Sequence, residues 1–85
     1  MEFVVIKRFK KMFKNCPEKI KKQLNERLEL FLINPNHQLL NNHSLSGRLK
    51  GFRSINISSD WRVLYEEREE KIILSAIGTH NQLYK

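Results

Sequence analysis

The sequence predicts a small α+β domain of two layers, in which an antiparallel sheet packs against two helices in the order β-α-α-β-β-β. Three observations support this fold class. Apolar residues recur at helical spacing up to residue 33, they alternate with polar residues after Gly47, and turn-forming residues separate the two regions. Helices that are grouped apart from most of the strands are typical of α+β folds. With 85 residues, the chain has room for a single domain over residues 1–85.

A short strand and a short helix open the chain. Residues 3–6 are a β-branched and aromatic run, which predicts the first strand. Over residues 7–14, three apolar side chains stand among lysines at spacings i, i+3 and i+4, namely Phe9, Met12 and Phe13. This spacing places them on one side of a helix. We therefore expect an amphipathic first helix with a basic outer surface.

A second, longer helix follows almost at once. Asn15 or Cys16 can cap it, Pro17 suits its first turn, and Glu18 favours the positive end of the helix dipole. The apolar stripe continues at helical spacing through Ile20, Leu24, Leu28, Phe31 and Leu32. Pro35 disfavours helical geometry in the residue before it, which ends the helix there.

The second half of the chain is predicted to form a loop and then three strands. Residues 37–47 carry Asn, Ser and His around leucines without a sustained period, which indicates a loop anchored by those leucines. Period-two alternation predicts strands over residues 49–57, 61–66 and 71–77. Short turns would join them into an antiparallel meander, the last turn being a cluster of glutamates around Arg68. We expect the helices to cover one sheet face and to leave the other free for a ligand.

The charge of the chain indicates a polyanionic partner. There are 16 Lys and Arg against nine Asp and Glu, a formal net charge of +7. Such a surface attracts nucleic acid first. A membrane-surface role has weaker support, because the broad apolar face that it requires is only partly present. No apolar run approaches the ~20 residues that span a bilayer and no signal peptide is recognisable, so we expect a soluble protein of the cytoplasm.

Cysteine and histidine usage predicts neither a disulfide framework nor a metal site. Cys16 is the single cysteine, so no thiol pair exists within the chain. The three histidines are His37, His43 and His80, and their spacing forms no paired-ligand motif for zinc. We predict no metal and no cofactor, and a reducing cytoplasm fits this composition.

Three segments of the second half resemble a known family. They are Ser-Leu-Ser-Gly-Arg-Leu-Lys-Gly-Phe-Arg-Ser at residues 44–54, Asp-Trp-Arg-Val-Leu-Tyr at residues 60–65, and Gly-Thr-His-Asn-Gln-Leu-Tyr at residues 78–84. Together they resemble the RelE/ParE superfamily of bacterial toxins, and most closely its YafQ-type branch. The order of predicted elements agrees with that fold over nearly the whole chain.

The resemblance implies the toxin of a type II toxin–antitoxin pair. It implies an endoribonuclease that cleaves messenger RNA in the decoding site of the ribosome without a metal, by attack of a ribose 2′-hydroxyl on the adjacent phosphate. The implied partners are a cognate antitoxin protein, the ribosome and messenger RNA, with no membrane. A hetero-oligomer with the antitoxin is expected.

The resemblance also assigns candidate catalytic roles to four residues. His80 matches the terminal histidine and is expected to be a general acid or base, a role that contributes ~10²–10⁴-fold and suits imidazole, which titrates near neutrality. Tyr84 matches the terminal aromatic and would orient or stack a base. Asp60 matches a carboxylate at the head of the third strand, for proton transfer or for orienting an imidazole. His43 matches a loop histidine and is a second candidate proton carrier.

Further residues are candidates for holding RNA. They are Arg48, Lys50, Arg53 and Arg62, together with Asn56. Three positions depart from the YafQ-type pattern: Asn56 replaces a histidine of the second strand, Ala76 replaces an arginine that often precedes the tail, and Ser44 replaces a proline. Asn56 cannot shuttle a proton, so these departures reduce the expected catalytic capacity more than the capacity to bind RNA or antitoxin.

Other interpretations stay open from the sequence alone. A ParE-like toxin directed at DNA gyrase would not need the terminal histidine and aromatic. A catalytically degenerate relative would only bind its antitoxin, and a general basic RNA-binding domain would show salt-dependent binding without cleavage. His43 also suits a local loop hydrogen bond, Asp60 a turn before a strand, and Trp61 packing against strand neighbours.

Overall fold

The computed structural model describes residues 2–84, so the ends of the predicted domain, Met1 and Lys85, lie outside the described residues. The elements in that range are β1 (Glu2–Val5), α1 (Lys7–Lys14), α2 (Glu18–Ile33), β2 (His43–Ser44), β3 (Arg53–Asn56), β4 (Trp61–Arg68), β5 (Lys71–Thr79) and α3 (His80–Tyr84). Short 3₁₀ helices at Gln38–Leu40 and Gly47–Leu49 flank β2. The predicted α+β class and element order are confirmed, with β2 and α3 as additions.

The sheet has the strand order β1-β5-β4-β3-β2. Neighbours from β2 to β5 are antiparallel, which confirms the predicted meander. β1 pairs with β5 in parallel, with Glu2 opposite Lys71, so the complete sheet is mixed. β3 begins later than predicted because Gly47 and Gly51 have φ of +64° and +98°, a backbone geometry that suits glycine in a turn and not a strand.

The two long helices follow the predicted boundaries, but the cap between them differs from the prediction. Pro17 stands at the N-cap position of α2 and makes no side-chain cap. Asn15 instead ends α1, where its backbone N–H donates to the carbonyl of Met12. Cys16 likewise donates its thiol to the Met12 carbonyl, at 3.5 Å. The predicted capping of α2 by Asn15 or Cys16 is wrong, because the helices are so close in sequence that both residues close the first helix.

The main core lies between the helices and one face of the sheet. Its buried members include Phe9, Ile20, Leu24 and Phe31 from the helices, Ile55, Val63, Tyr65, Leu74 and Ile77 from the strands, and Leu40 from the first 3₁₀ helix. Removing these side chains from water is the principal stabilising term of such a domain. The alternation of the strands then turns the remaining residues toward the second face.

The second face of the sheet is partly covered, contrary to the prediction that it is free. Leu64 of β4 and Ala76 of β5 form a second buried cluster there with Leu83 of α3. Leu45 and Leu49, from the segment around β2, pack against the same cluster. The residues predicted as a tail therefore form a helix with a packing role, because Leu83 would otherwise expose its apolar surface.

A capping box starts α3. The backbone N–H of Thr79 donates to Oε1 of Gln82 at 2.8 Å, and the N–H of Gln82 donates to Oγ1 of Thr79 at 3.3 Å. This reciprocal pair satisfies two backbone donors at the helix start. The Thr-x-x-Gln spacing was readable in the sequence, yet so short a helix carries no apolar period that would have indicated it.

Gly78 leaves the space that this capping box needs. A Cβ at Gly78 would lie 2.9 Å from Oε1 of Gln82 and 3.3 Å from Cδ2 of Leu83. We expect Gly78→Ala to displace the amide of Gln82 and to lower the free energy of unfolding by on the order of 1 kcal/mol, the value of one lost hydrogen bond. Urea unfolding of Gly78→Ala, Gln82→Ala and the double variant checks this. Because Gly78→Ala and Gln82→Ala remove the same bond, the double variant should lose less stability than the sum of the two single variants. Losses that add up fully would contradict the displacement of Gln82.

Candidate functional site

α3 brings His80 and Tyr84 together. They stand four residues apart, so they share one side of the helix, and their rings are in edge contact with centroids 4.7 Å apart and planes at 61°. The backbone N–H of His80 donates to the carbonyl of Asp60 at 3.0 Å. This bond joins the start of α3 to the turn between β3 and β4, and the exposed imidazole is thereby held at the end of the sheet.

Ser54 fixes the other end of this pair. The phenol of Tyr84 donates to Oγ of Ser54 at 2.6 Å. Ser54 is fully buried, at 0% exposure, on the second face of β3, next to Leu64 of β4. The sequence interpretation placed Ser54 on a strand but gave it no role. Alternation alone did not indicate that a serine among apolar neighbours has a tyrosine partner 30 residues away.

His43 lies on the same sheet face as Ser54. The two are paired residues of the antiparallel strands β2 and β3, and paired residues point their side chains to the same side. Nδ1 of His43 lies 2.7 Å from the carbonyl oxygen of Asn41. A carbonyl only accepts, so Nδ1 is the donor in this contact, and Nε2 is the ring nitrogen that does not take part in it. His43, Ser54, Tyr84 and His80 thus form a row across one face.

The next row of the same face contains Asn56, Arg62 and Gly78, which are register partners. The Arg62 guanidinium donates to the carbonyls of Ser58 and Trp61 at 3.0 and 3.1 Å, and to that of Ser59 at 3.2 Å. It therefore braces the turn between β3 and β4. Oδ1 of Asn56 is buried without a hydrogen-bond partner in the described part of the chain.

The other predicted site residues are spread around this face. Arg53 is on the opposite, helix-covered face with Tyr65, and its Nε donates to Oδ1 of Asn42 at 3.0 Å. Asp60 contributes its backbone carbonyl to α3, while the residue itself lies exposed beside α2. Arg48 and Lys50 are exposed in and after the second 3₁₀ helix. The structure therefore brings His80, Tyr84, His43, Asn56 and Arg62 to one face, and it places Arg53 elsewhere.

Cys16 is buried in the structure. Burial raises the pKa of the Cys16 thiol, and the charge of Lys21 offsets only part of that effect. A thiol of this kind forms its reactive thiolate less readily. Across residues 2–84, no three His, Cys, Asp or Glu side chains are grouped so that they could hold a metal ion. None of the helices in that range has the length and apolar content needed to cross a bilayer.

The hydrogen bond between Tyr84 and Ser54 can be measured. We expect Ser54→Ala and Tyr84→Phe each to lower the free energy of unfolding by about 0.5–1.5 kcal/mol, the usual value of one hydrogen bond. The double variant should lose much less than the sum, because both substitutions remove the same bond. Urea denaturation of the four proteins gives the coupling energy. Ser54→Thr, which keeps a hydroxyl, is the matched control, and a coupling energy of zero would contradict the contact.

The fold belongs to the RelE/ParE-like class. Its fold is similar to that of the YoeB/ParE toxin from Agrobacterium tumefaciens, with a TM-score of 0.75 and 15% identity, covering 94% of this chain and 99% of that chain. Within this class, the family model described as "Bacterial toxin of type II toxin-antitoxin system, YafQ" matches residues 1–85. The chain belongs to the YafQ family of type II toxins, which confirms the resemblance found in the sequence.

Solved structures extend this comparison. YafQ from E. coli strain BL21(DE3) is similar with a TM-score of 0.84 and 20% identity, covering 99% of this chain and 98% of that chain. A chain of the E. coli DinJ-YafQ toxin-antitoxin complex gives 0.76 and 22%, covering 99% and 97%. A chain of the YoeB-YefM complex from Staphylococcus aureus gives 0.75 and 19%, covering 94% and 97%. At these identities the likeness concerns the fold. No curated protein sequence gives a significant match.

Proposed function

We propose that this toxin is an endoribonuclease that cleaves messenger RNA on the ribosome without a metal ion. The observation that carries the proposal is the row of His43, Ser54, Tyr84 and His80 on one sheet face, joined by the 2.6 Å bond between Tyr84 and Ser54 and the ring contact between Tyr84 and His80. This row supplies two imidazoles and one aromatic ring. The net charge of +7 supports a polyanionic substrate.

The proposed reaction needs two proton transfers. The 2′-oxygen attacks phosphorus as a general base removes its proton, and the bond from phosphorus to the 5′-oxygen breaks as a general acid protonates that oxygen. The products are a 2′,3′-cyclic phosphate and a 5′-hydroxyl. Imidazole can serve in either step, and we assign one step to His80 and the other to His43 through Nε2.

The remaining candidates have supporting roles in this proposal. Tyr84 holds the base next to the scissile bond by ring contact. Lys50 and Arg48 are exposed and are proposed to contact phosphates. Arg62 and Asn56 lie in the second row of the face, where Arg62 also braces the turn. Oδ1 of Asn56 is an acceptor that receives no hydrogen bond from residues 2–84.

Asp60 and Arg53 are proposed to position the two histidines more than to contact the scissile bond. Asp60 is proposed to position His80 through its backbone carbonyl, which accepts the His80 N–H, and its carboxylate remains a candidate for orienting an imidazole. Arg53 lies on the other sheet face and bonds Asn42, the residue next to His43. We propose that Arg53 acts on RNA only at a distance from the scissile bond and mainly fixes the segment that carries His43.

We further propose that a cognate antitoxin protein binds this chain in the cytoplasm. The relatives in the DinJ-YafQ and YoeB-YefM structures are toxins in complex with their antitoxins. Helix α1 has five basic residues among eight and no acid, a surface that suits an acidic partner. Co-purification of the toxin with the product of the adjacent reading frame tests this part.

The decisive experiment is controlled expression of the toxin without its neighbour gene. We expect growth arrest together with new 5′ ends in cellular messages, which primer extension would map. The same transcripts should stay uncut when they are incubated with the toxin in the absence of ribosomes. Intact messages with induction of the DNA damage response would instead favour a gyrase-directed toxin. Growth without either change would indicate a protein that only binds its antitoxin, and would overturn the proposal.

A further inference from the structure

The sheet face that carries His43, Ser54 and Tyr84 is called the cleavage face below. A polar groove outside this face runs between α2 and the turn that joins β3 to β4. Helix α2 contributes Lys19, Gln23 and Arg27, which are four residues apart and so share one side of the helix over about 12 Å. The turn contributes Ser58 and Ser59 to the opposite wall, and Trp61 borders the groove. None of the α2 residues has a role in the proposed reaction.

Two residues that line this groove carry a buried polar atom without a hydrogen-bond partner among residues 2–84. Nη1 of Arg27 and Oε1 of Gln23 are both buried, and neither has a hydrogen-bond partner in the described part of the chain. The ion pairs that residues 2–84 form within 4.0 Å are Lys21–Glu18 and Arg68–Glu66. Arg27 has no ion pair within that distance, although Glu26 lines a second hollow beside it. A charged group in this position is costly. Unpaired buried groups of this kind frequently mark the place of a ligand.

The unpaired atoms define the chemistry that would satisfy them. Arg27 needs an acceptor, for which a phosphate oxygen is well suited. Gln23 needs a donor, and Oε1 cannot receive it from Arg27 in the observed geometry. A ribose–phosphate backbone offers both groups, because each nucleotide of RNA carries phosphate oxygens and a 2′-hydroxyl.

We propose that this groove binds the ribose–phosphate backbone of single-stranded RNA, as a second contact separate from the cleavage face; the choice of RNA rests on the proposed function. Lys19 contacts a phosphate from the rim of the groove, and the ring of Trp61 stacks with a base. As RNA enters, the side chains of Arg27 and Gln23 turn their buried atoms toward a phosphate and a 2′-hydroxyl. Asp60 is the one acid among the described residues that line the groove. It is exposed, and the two cations outnumber it.

The position of the groove favours RNA over an acidic peptide. The turn between β3 and β4 is a wall of this groove, and its Asp60 carbonyl also holds His80 at 3.0 Å. The groove and His80 therefore meet at the same turn, so one RNA strand that passes around this end of the sheet can contact both. An acidic peptide would satisfy Arg27 equally well, but it has no ring to stack on Trp61.

Binding of a fluorescein-labelled RNA 12-mer tests the proposal by anisotropy in the His80→Ala background, which keeps the probe intact. We expect Arg27→Gln and Lys19→Gln each to weaken binding several-fold and to reduce the slope of log K against log salt by about 0.7. Lys22→Gln is the matched control, because Lys22 is exposed on the same helix and outside the groove. We expect Gln23→Ala to reduce the preference for RNA over DNA of the same sequence.

Several outcomes would overturn the groove proposal. Equal losses for Lys22→Gln and Arg27→Gln would show general charge attraction, and displacement of the RNA by polyglutamate at matched charge would indicate a peptide groove. Thermal unfolding checks that the Arg27→Gln variant keeps the fold. If that variant is unfolded, the binding measured for Lys19→Gln decides whether the groove binds RNA. If RNA binding depends on Arg27 but the toxin leaves messages intact, the proposed endoribonuclease function is wrong and the groove proposal still holds.

Discussion

Replacement of His80 by alanine is expected to lower the rate of messenger RNA cleavage by ~10²–10⁴-fold, the usual contribution of a general acid or base. The physical reason is that no other group described on α3 can exchange a proton near neutral pH at that place. Primer extension and single-turnover cleavage on programmed ribosomes measure the effect. We expect His80→Gln to be as slow as His80→Ala, because glutamine forms hydrogen bonds but does not transfer a proton.

Controls for this prediction lie in the same helix. Asn81 is the next residue and is exposed, so Asn81→Ala should cleave at close to the unmodified rate. The fold of His80→Ala should persist, because Leu83, the capping box and the Tyr84–Ser54 bond also hold α3. A folded His80→Ala protein with undiminished cleavage would remove His80 from the mechanism.

Replacement of Leu40 by alanine should cause the largest loss of stability among the changes considered. Leu40 is 0% exposed and lies in the 3₁₀ helix Gln38–Leu40, three residues before His43. Truncating such a side chain leaves a cavity and typically costs about 2–5 kcal/mol. We therefore expect a large decrease in the urea midpoint, with less protein folded during expression and a weaker toxin phenotype.

The neighbouring leucine provides the control. Leu39 is 53% exposed, so Leu39→Ala should change the free energy of unfolding by no more than about 0.5 kcal/mol. The two substitutions remove the same atoms from adjacent positions, and only burial differs. Similar losses in both variants would mean that the 3₁₀ helix does not anchor the segment carrying His43.

The helices and the meander were predictable because they depend on local periods. The helix over Lys7–Lys14 was predicted to the residue, and the second helix ended before Pro35 as expected. The family could also be inferred, because the segments that resemble it are each continuous in sequence, at residues 44–54, 60–65 and 78–84. The cap of the second helix was misassigned, because its residues are shared with the end of the first helix.

The candidate site was predictable in part. His43, Asn56, Arg62 and Tyr84 were proposed from the resemblance to the family pattern, and they do share a sheet face with His80. Arg53 was proposed as a phosphate contact because an arginine of the family pattern is missing at Ala76, but the pleat places it on the opposite face, with Tyr65. Ser54 was missed because a serine in a strand has no pattern that indicates a distant tyrosine. The catalytic roles of these residues stay predictions.

The fold class, the YafQ-type resemblance and the basic character of this protein follow from the amino-acid sequence, because periodicity, motif and charge are carried by neighbouring residues. Which side chains contact one another depends on the folded chain. Strand pairing placed His43 beside Ser54, the helix after β5 covered the second sheet face, and α2 met the β3–β4 turn around Arg27. These contacts join residues far apart in the chain, and their geometry depends on the packing of the whole core.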